Sequence, residues 1–114
     1  MSQTVEELSA SLAAVIERFE AEEMGARATG VTVMVQDDLV VVHLKGVLSP
    51  SEKDLAQTQF GQAILQRFNT MLFGAGSSPS IRAQVATSLG RQVADVQTAL
   101  SPLTGSLVVV FELA

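Results

Sequence analysis

The chain has no cysteine, tryptophan or tyrosine, a single histidine and three prolines among 114 residues. Without cysteine there are no disulfides, no thiolate nucleophile and no cysteine-bound metal, a composition that fits the cytoplasm. Basic residues are few. Seven Lys and Arg stand against twelve Asp and Glu, giving a net charge of −5. Arg18, Arg27, Lys45, Lys53, Arg67, Arg82 and Arg91 are scattered, so no basic patch forms to neutralise nucleic-acid phosphates or an anionic membrane. No run approaches the ~18 apolar residues of a membrane span, and "MSQTVEELSA" has acids where a signal peptide needs basic residues. These absences predict a soluble cytoplasmic chain with no nucleic-acid partner and no direct membrane insertion.

What is present is enough for one core. Apolar residues make up 47 % and charged residues 17 %, which predicts a single folded domain over 1–114. Residues 4 to 24 carry Val5, Leu8, Leu12, Val15, Ile16 and Phe19 at helical spacing. Thr4 and Glu7 have the spacing of a capping box, Gly25 is a stop signal, and Glu20, Glu22 and Glu23 read as a solvated face.

After "GARATG" the period becomes two. "VTVMVQ" and residues 39 to 48 read as the strands of a β-hairpin turning at Asp37-Asp38, where Asp tolerates turn dihedrals. One face of this hairpin takes Met34, Val41, His43, Lys45 and Val47. Ser49, Pro50 and Glu52 then start a helix: an N-cap, a proline where no N–H is needed, and the reciprocal Glu of a capping box. Continued, this helix places Phe60, Gly61, Ile64, Leu65, Phe68, Met71 and Leu72 on a wide face. Gln59, Gln62 and Gln66 lie opposite, with Leu55 and Phe73 projecting among them.

"GAGSSP" ends that helix, and Ser78-Pro79 caps another with Ile81, Val85 and Leu89. Residues 91 to 100 admit two readings. The apolar stripe can run on through Val93, Val96 and Leu100, at a cost of ~1 kcal/mol for Gly90 in mid-helix. Otherwise the helix stops at Gly90 and a strand follows. "SLVVVFELA" is a strand with Val108 and Val110 on one face.

"RFEAEEMGARATG", "VVHLKGVLSPSEKDLA" and "GRQVADVQTALSPLTGSLVVVFELA" together resemble the MpsC domain family over nearly the whole chain. The resemblance implies a strand for 91–100. It also implies a small bacterial accessory of a proposed cation-linked, membrane-potential-generating system. Other components of that system resemble NADH-dehydrogenase-type membrane subunits and bicarbonate-uptake proteins. No catalytic residues come with the resemblance.

No constellation carries covalent chemistry. His43 lacks the orienting acid or nucleophile that a general base needs, and Asp37-Asp38 offers too few oxygens for a hard cation. Gly76, Ser78 and Arg82 form the one anion-site candidate, since helix N–H groups can hold an anion, but the Gly-Lys-Ser/Thr of a phosphate loop is absent. No cofactor or metal site is expected, and catalytic residues are none.

The expected fold is α+β in the order α-β-β-α-α-β-β, with a small antiparallel sheet of about four strands packed against helices. If helices cover one face only, then Met34, Val41, His43, Lys45, Val47, Val108 and Val110 form an interface. The expectation is a non-enzymatic accessory domain that works as a homodimer, with a membrane transport subunit as a further partner. An anion-sensing regulatory domain is the alternative.

Overall fold

β-branched residues on both sides of two aspartates build the first hairpin. In the computed structural model, which describes residues 4–74 and 80–114, β1 (Gly30–Gln36) and β2 (Leu39–Lys45) pair antiparallel without a register shift. Gln36 faces Leu39 across the turn, and Asp37 takes the left-handed φ of 53° that so short a connection needs. A second hairpin joins β3 (Val93–Leu100) to β4 (Leu107–Leu113). β4 docks on β2, so the sheet order is β1-β2-β4-β3.

Four helices are described: α1 (Val5–Met24), α2 (Pro50–Leu55), α3 (Gln59–Gly74) and α4 (Ile81–Leu89). They cover one face of the sheet. Val40, Val42, Leu44, Leu107, Val109 and Phe111 are fully buried there against Leu12, Ile16, Phe19, Phe73, Ile81 and Val85. The α+β order α-β-β-α-α-β-β holds, with its second helix broken into α2 and α3. Gly90 ends α4 in a left-handed conformation, φ 66°, and donates to the Ala86 carbonyl, so the stripe that seemed to continue stops and β3 begins.

Several sequence expectations need correction. The helix begun by the Ser49–Glu52 capping box ends at Leu55, because Thr58 starts a new turn by accepting the Gly61 N–H. Gly61 lies so close to Leu55 that a Cβ there would sit 1.8 Å from the Leu55 carbonyl oxygen. α3 is also rotated from the orientation its apolar residues suggest. Phe60, Ile64, Phe68 and Met71 face outward, while Leu65, Asn69 and Phe73 are buried. Phe73 packs against Phe19 with ring centroids 5.0 Å apart and planes tilted by 56°. Gln66, on the side read as solvated, bonds to β3 through the Thr98 carbonyl and the Leu100 N–H.

β2 stops at Lys45, not at residue 48. Gly46 turns the chain at φ 69°, which carries Val47 and Leu48 into the core. Glu20 is buried rather than solvated, since its Oε1 accepts the Ala28 N–H at 2.7 Å and holds the α1–β1 connection. Thr4 accepts the Glu7 N–H, but its own hydroxyl donates to the Glu7 carboxylate. The N-cap of α4 is Ser80, which accepts from Ala83; the cap expected at Ser78-Pro79 lies outside the described residues.

Candidate interaction surfaces

The side of the sheet away from the helices is uncovered. Its registers set out three rows across β1, β2, β4 and β3: Thr32, His43, Val108, Ala99; then Met34, Val41, Val110, Gln97; then Gln36, Leu39, Glu112, Asp95. Lys45 lies beyond the first row. Strand spacing and rise make this face roughly 19 by 23 Å, on the order of 400 Å². Its middle is apolar, with Met34 57 % exposed and Val41, Val108 and Val110 partly exposed. Near the hairpin turn, Met34, Gln36, Leu39 and Val41 line a hollow of about 400 Å³.

Six of the seven residues expected at an interface are therefore brought together: Met34, Val41, His43, Lys45, Val108 and Val110. Val47 is not, because it lies in the core. His43 sits between Thr32 and Val108, and its imidazole has no hydrogen-bond partner among the described residues.

A second apolar surface was not legible in the sequence. Along the outside of α3, Phe60 is 78 % exposed, Ile64 43 %, Phe68 52 % and Met71 60 %. Their helical spacing is that of a core stripe, and only the burial of Phe73 and the bonds of Gln66 to β3 on the opposite side reveal the rotation.

Of the anion-site candidates, Arg82 donates to the Val93 and Ala94 carbonyls at 2.7 and 3.0 Å, while Gly76 and Ser78 lie outside the described residues. A cavity of about 200 Å³ lies between the end of α1, the β2–α2 connection and α3, lined by Glu23, Met24, Arg27, Val47, Glu52, Phe68 and Asn69. Arg27 crosses it to pair with Glu52. That carboxylate also accepts the Ser49 N–H, so the charge of Arg27 serves to fasten the α1–β1 connection to α2. Among the described residues no three His, Asp or Glu side chains converge as metal ligands. No described helix is long and apolar enough to cross a membrane.

These features define a small α+β domain with an antiparallel sheet, helices on one face and two exposed apolar surfaces. Residues 4–114 match the family model described as "Na+-translocating membrane potential-generating system (MpsC)", and the chain belongs to that family. It is 24 % identical over 113 residues to "Uncharacterized protein YbcI" of Bacillus subtilis (strain 168), covering 99 % of this chain and 90 % of that protein. No solved structure matches it.

Proposed function

We propose that this chain is a non-enzymatic accessory domain of the cytoplasm, which assembles with itself and serves a membrane bicarbonate or cation transport system through contacts with one of its subunits. The observation that carries the reading is the pair of apolar surfaces. An uncovered sheet face and the Phe60–Met71 stripe set apolar side chains in solvent on two separate surfaces, the kind of exposure that marks interaction sites. His43, Lys45, Asp95 and Glu112 lie around the sheet patch as a polar rim. The family description supplies the transport setting.

Light scattering at micromolar concentration tests the self-assembly. A mass of two 12.0 kDa chains is expected, and a mass of one chain overturns it. Co-purification with the membrane subunit of the transport system tests the partner. Wild type should retain that subunit and Val110→Glu should lose it; retention by both removes the sheet face from the contact. The anion-sensing alternative has less support, because the guanidinium of Arg82 already bonds two backbone carbonyls.

A further inference from the structure

The sheet has two edges, β1 and β3, and they are treated differently. Along β3, the side chain of Gln66 takes up the Thr98 carbonyl and the Leu100 N–H, and Arg82 takes up the Val93 and Ala94 carbonyls beside a bulge. Such devices close an edge against further strands. Along β1 there are none: among the described residues no side chain bonds its outer backbone, and the strand has no bulge, no proline and no charged residue.

The outward groups of β1 follow from the ladder. In an antiparallel pair, alternate residues direct both N–H and C=O at the partner strand. A two-residue turn closed by Gln36 and Leu39 makes that pair hydrogen-bonded, as are Met34–Val41 and Thr32–His43, so Val31, Val33 and Val35 point their backbone groups outward. The same alternation carried across the sheet turns Thr98 and Leu100 outward on β3, where Gln66 meets them. The side chains of Val31, Val33 and Val35 face the core yet stay partly exposed, whereas Leu44, Val42 and Val40 opposite them are fully buried. β1 has the composition of an interior strand and lacks a neighbour on one side.

We infer that this neighbour is β1 of a second copy, paired antiparallel about a two-fold axis at Val33. The inference rests on the self-assembly proposed above but places its contact at the β1 edge and not on the two apolar surfaces. Val31, Val33 and Val35 are symmetric about Val33, so that axis sets Val33 against its mate and Val31 against Val35, and all six outward groups of each copy find partners. β-branched side chains then lie directly opposite, a favourable cross-strand pairing, and no like charges meet. The two-fold axis closes the assembly as one eight-stranded sheet with the helices on one side. The open face and the α3 stripe remain free for the other partner.

The cysteine-free chain makes the test clean. In a hydrogen-bonded pair opposed Cα atoms lie about 5.5 Å apart, within disulfide range. Val33→Cys should therefore oxidise to a covalent dimer. Val31→Cys should not, because its mate lies roughly 13 Å along the ladder. Val33→Pro removes an N–H that bonds nothing within the chain, so it should give folded protein with the mass of one chain. If wild type scatters as two chains but Val33→Cys resists oxidation, or if folded Val33→Pro stays dimeric, the β1 contact is wrong while self-assembly stands. If wild type scatters as one chain, both fail. Should Val33→Pro not fold, the two cysteine variants decide.

Discussion

The side-chain amide of Gln66 stands beside Leu100 in the place of a missing strand. Its Oε1 accepts the Leu100 N–H at 2.9 Å while its Nε2 donates to the Thr98 carbonyl at 2.8 Å. One side chain thus reproduces both halves of a ladder rung, from a helix 34 residues earlier in the chain.

Gln66→Ala should lower stability by about 1–3 kcal/mol, because it leaves a part-buried donor and acceptor without partners. Urea denaturation reads the loss, and the Leu100 amide should exchange with solvent faster. Gln66→Glu keeps the acceptor for Leu100 but sets a carboxylate against the Thr98 carbonyl, so it should recover only part of the stability.

The rotation of α3 gives opposite expectations for two phenylalanines five residues apart. Phe73 is fully buried against Phe19, so Phe73→Ala should cost about 3–5 kcal/mol. Phe68 is half exposed, and Phe68→Ala should cost no more than about 1 kcal/mol. Equal costs, or a larger one for Phe68→Ala, in chemical denaturation would refute this orientation of the helix.

Gly61→Ala forces a methyl group into the Leu55 carbonyl, which neither helix can withdraw without reopening the turn between them. Destabilisation of about 1–3 kcal/mol or more is expected from such overpacking. A melting temperature equal to wild type would refute the close approach. Gly74→Ala is the control, since nothing lies near its added Cβ.

Glu20→Ala should destabilise by about 1–3 kcal/mol through loss of the bond to the Ala28 N–H, whereas Glu20→Gln retains an acceptor and should lose less. Comparing the urea midpoints of the two variants separates the hydrogen bond from simple filling of space.

What local chemistry specifies was legible in the sequence. Ser49, Pro50 and Glu52 predict a capped helix start, and both reciprocal bonds of the capping box form. Alternation around Asp37-Asp38 predicts the first hairpin, and six of the seven residues expected at an interface fall on the open side of the sheet, four on that hairpin and two on β4. Two of the differences share one cause. Gln66 and Glu20 look solvated until the backbone groups they bond, far along the chain or across a turn, are in place. Once the bonds of Gln66 turn α3 toward β3, its apolar stripe must face outward. Val47 was misassigned because strand alternation was carried through Gly46, whose left-handed backbone ends it.

The interior position of β4 constrains how the protein can be made. Synthesis runs from the N-terminus, so the first hairpin and the helices emerge while the place beside β2 is still empty. Until Leu107–Leu113 arrives, Val40, Val42 and Leu44 lack the strand that lines up with them, and the growing chain displays the apolar surface that the finished one hides. The sheet therefore cannot close until β4 has been synthesised. An interruption before residue 107 yields a product with no route to the native sheet, and such a fragment is a natural client for chaperones and proteases.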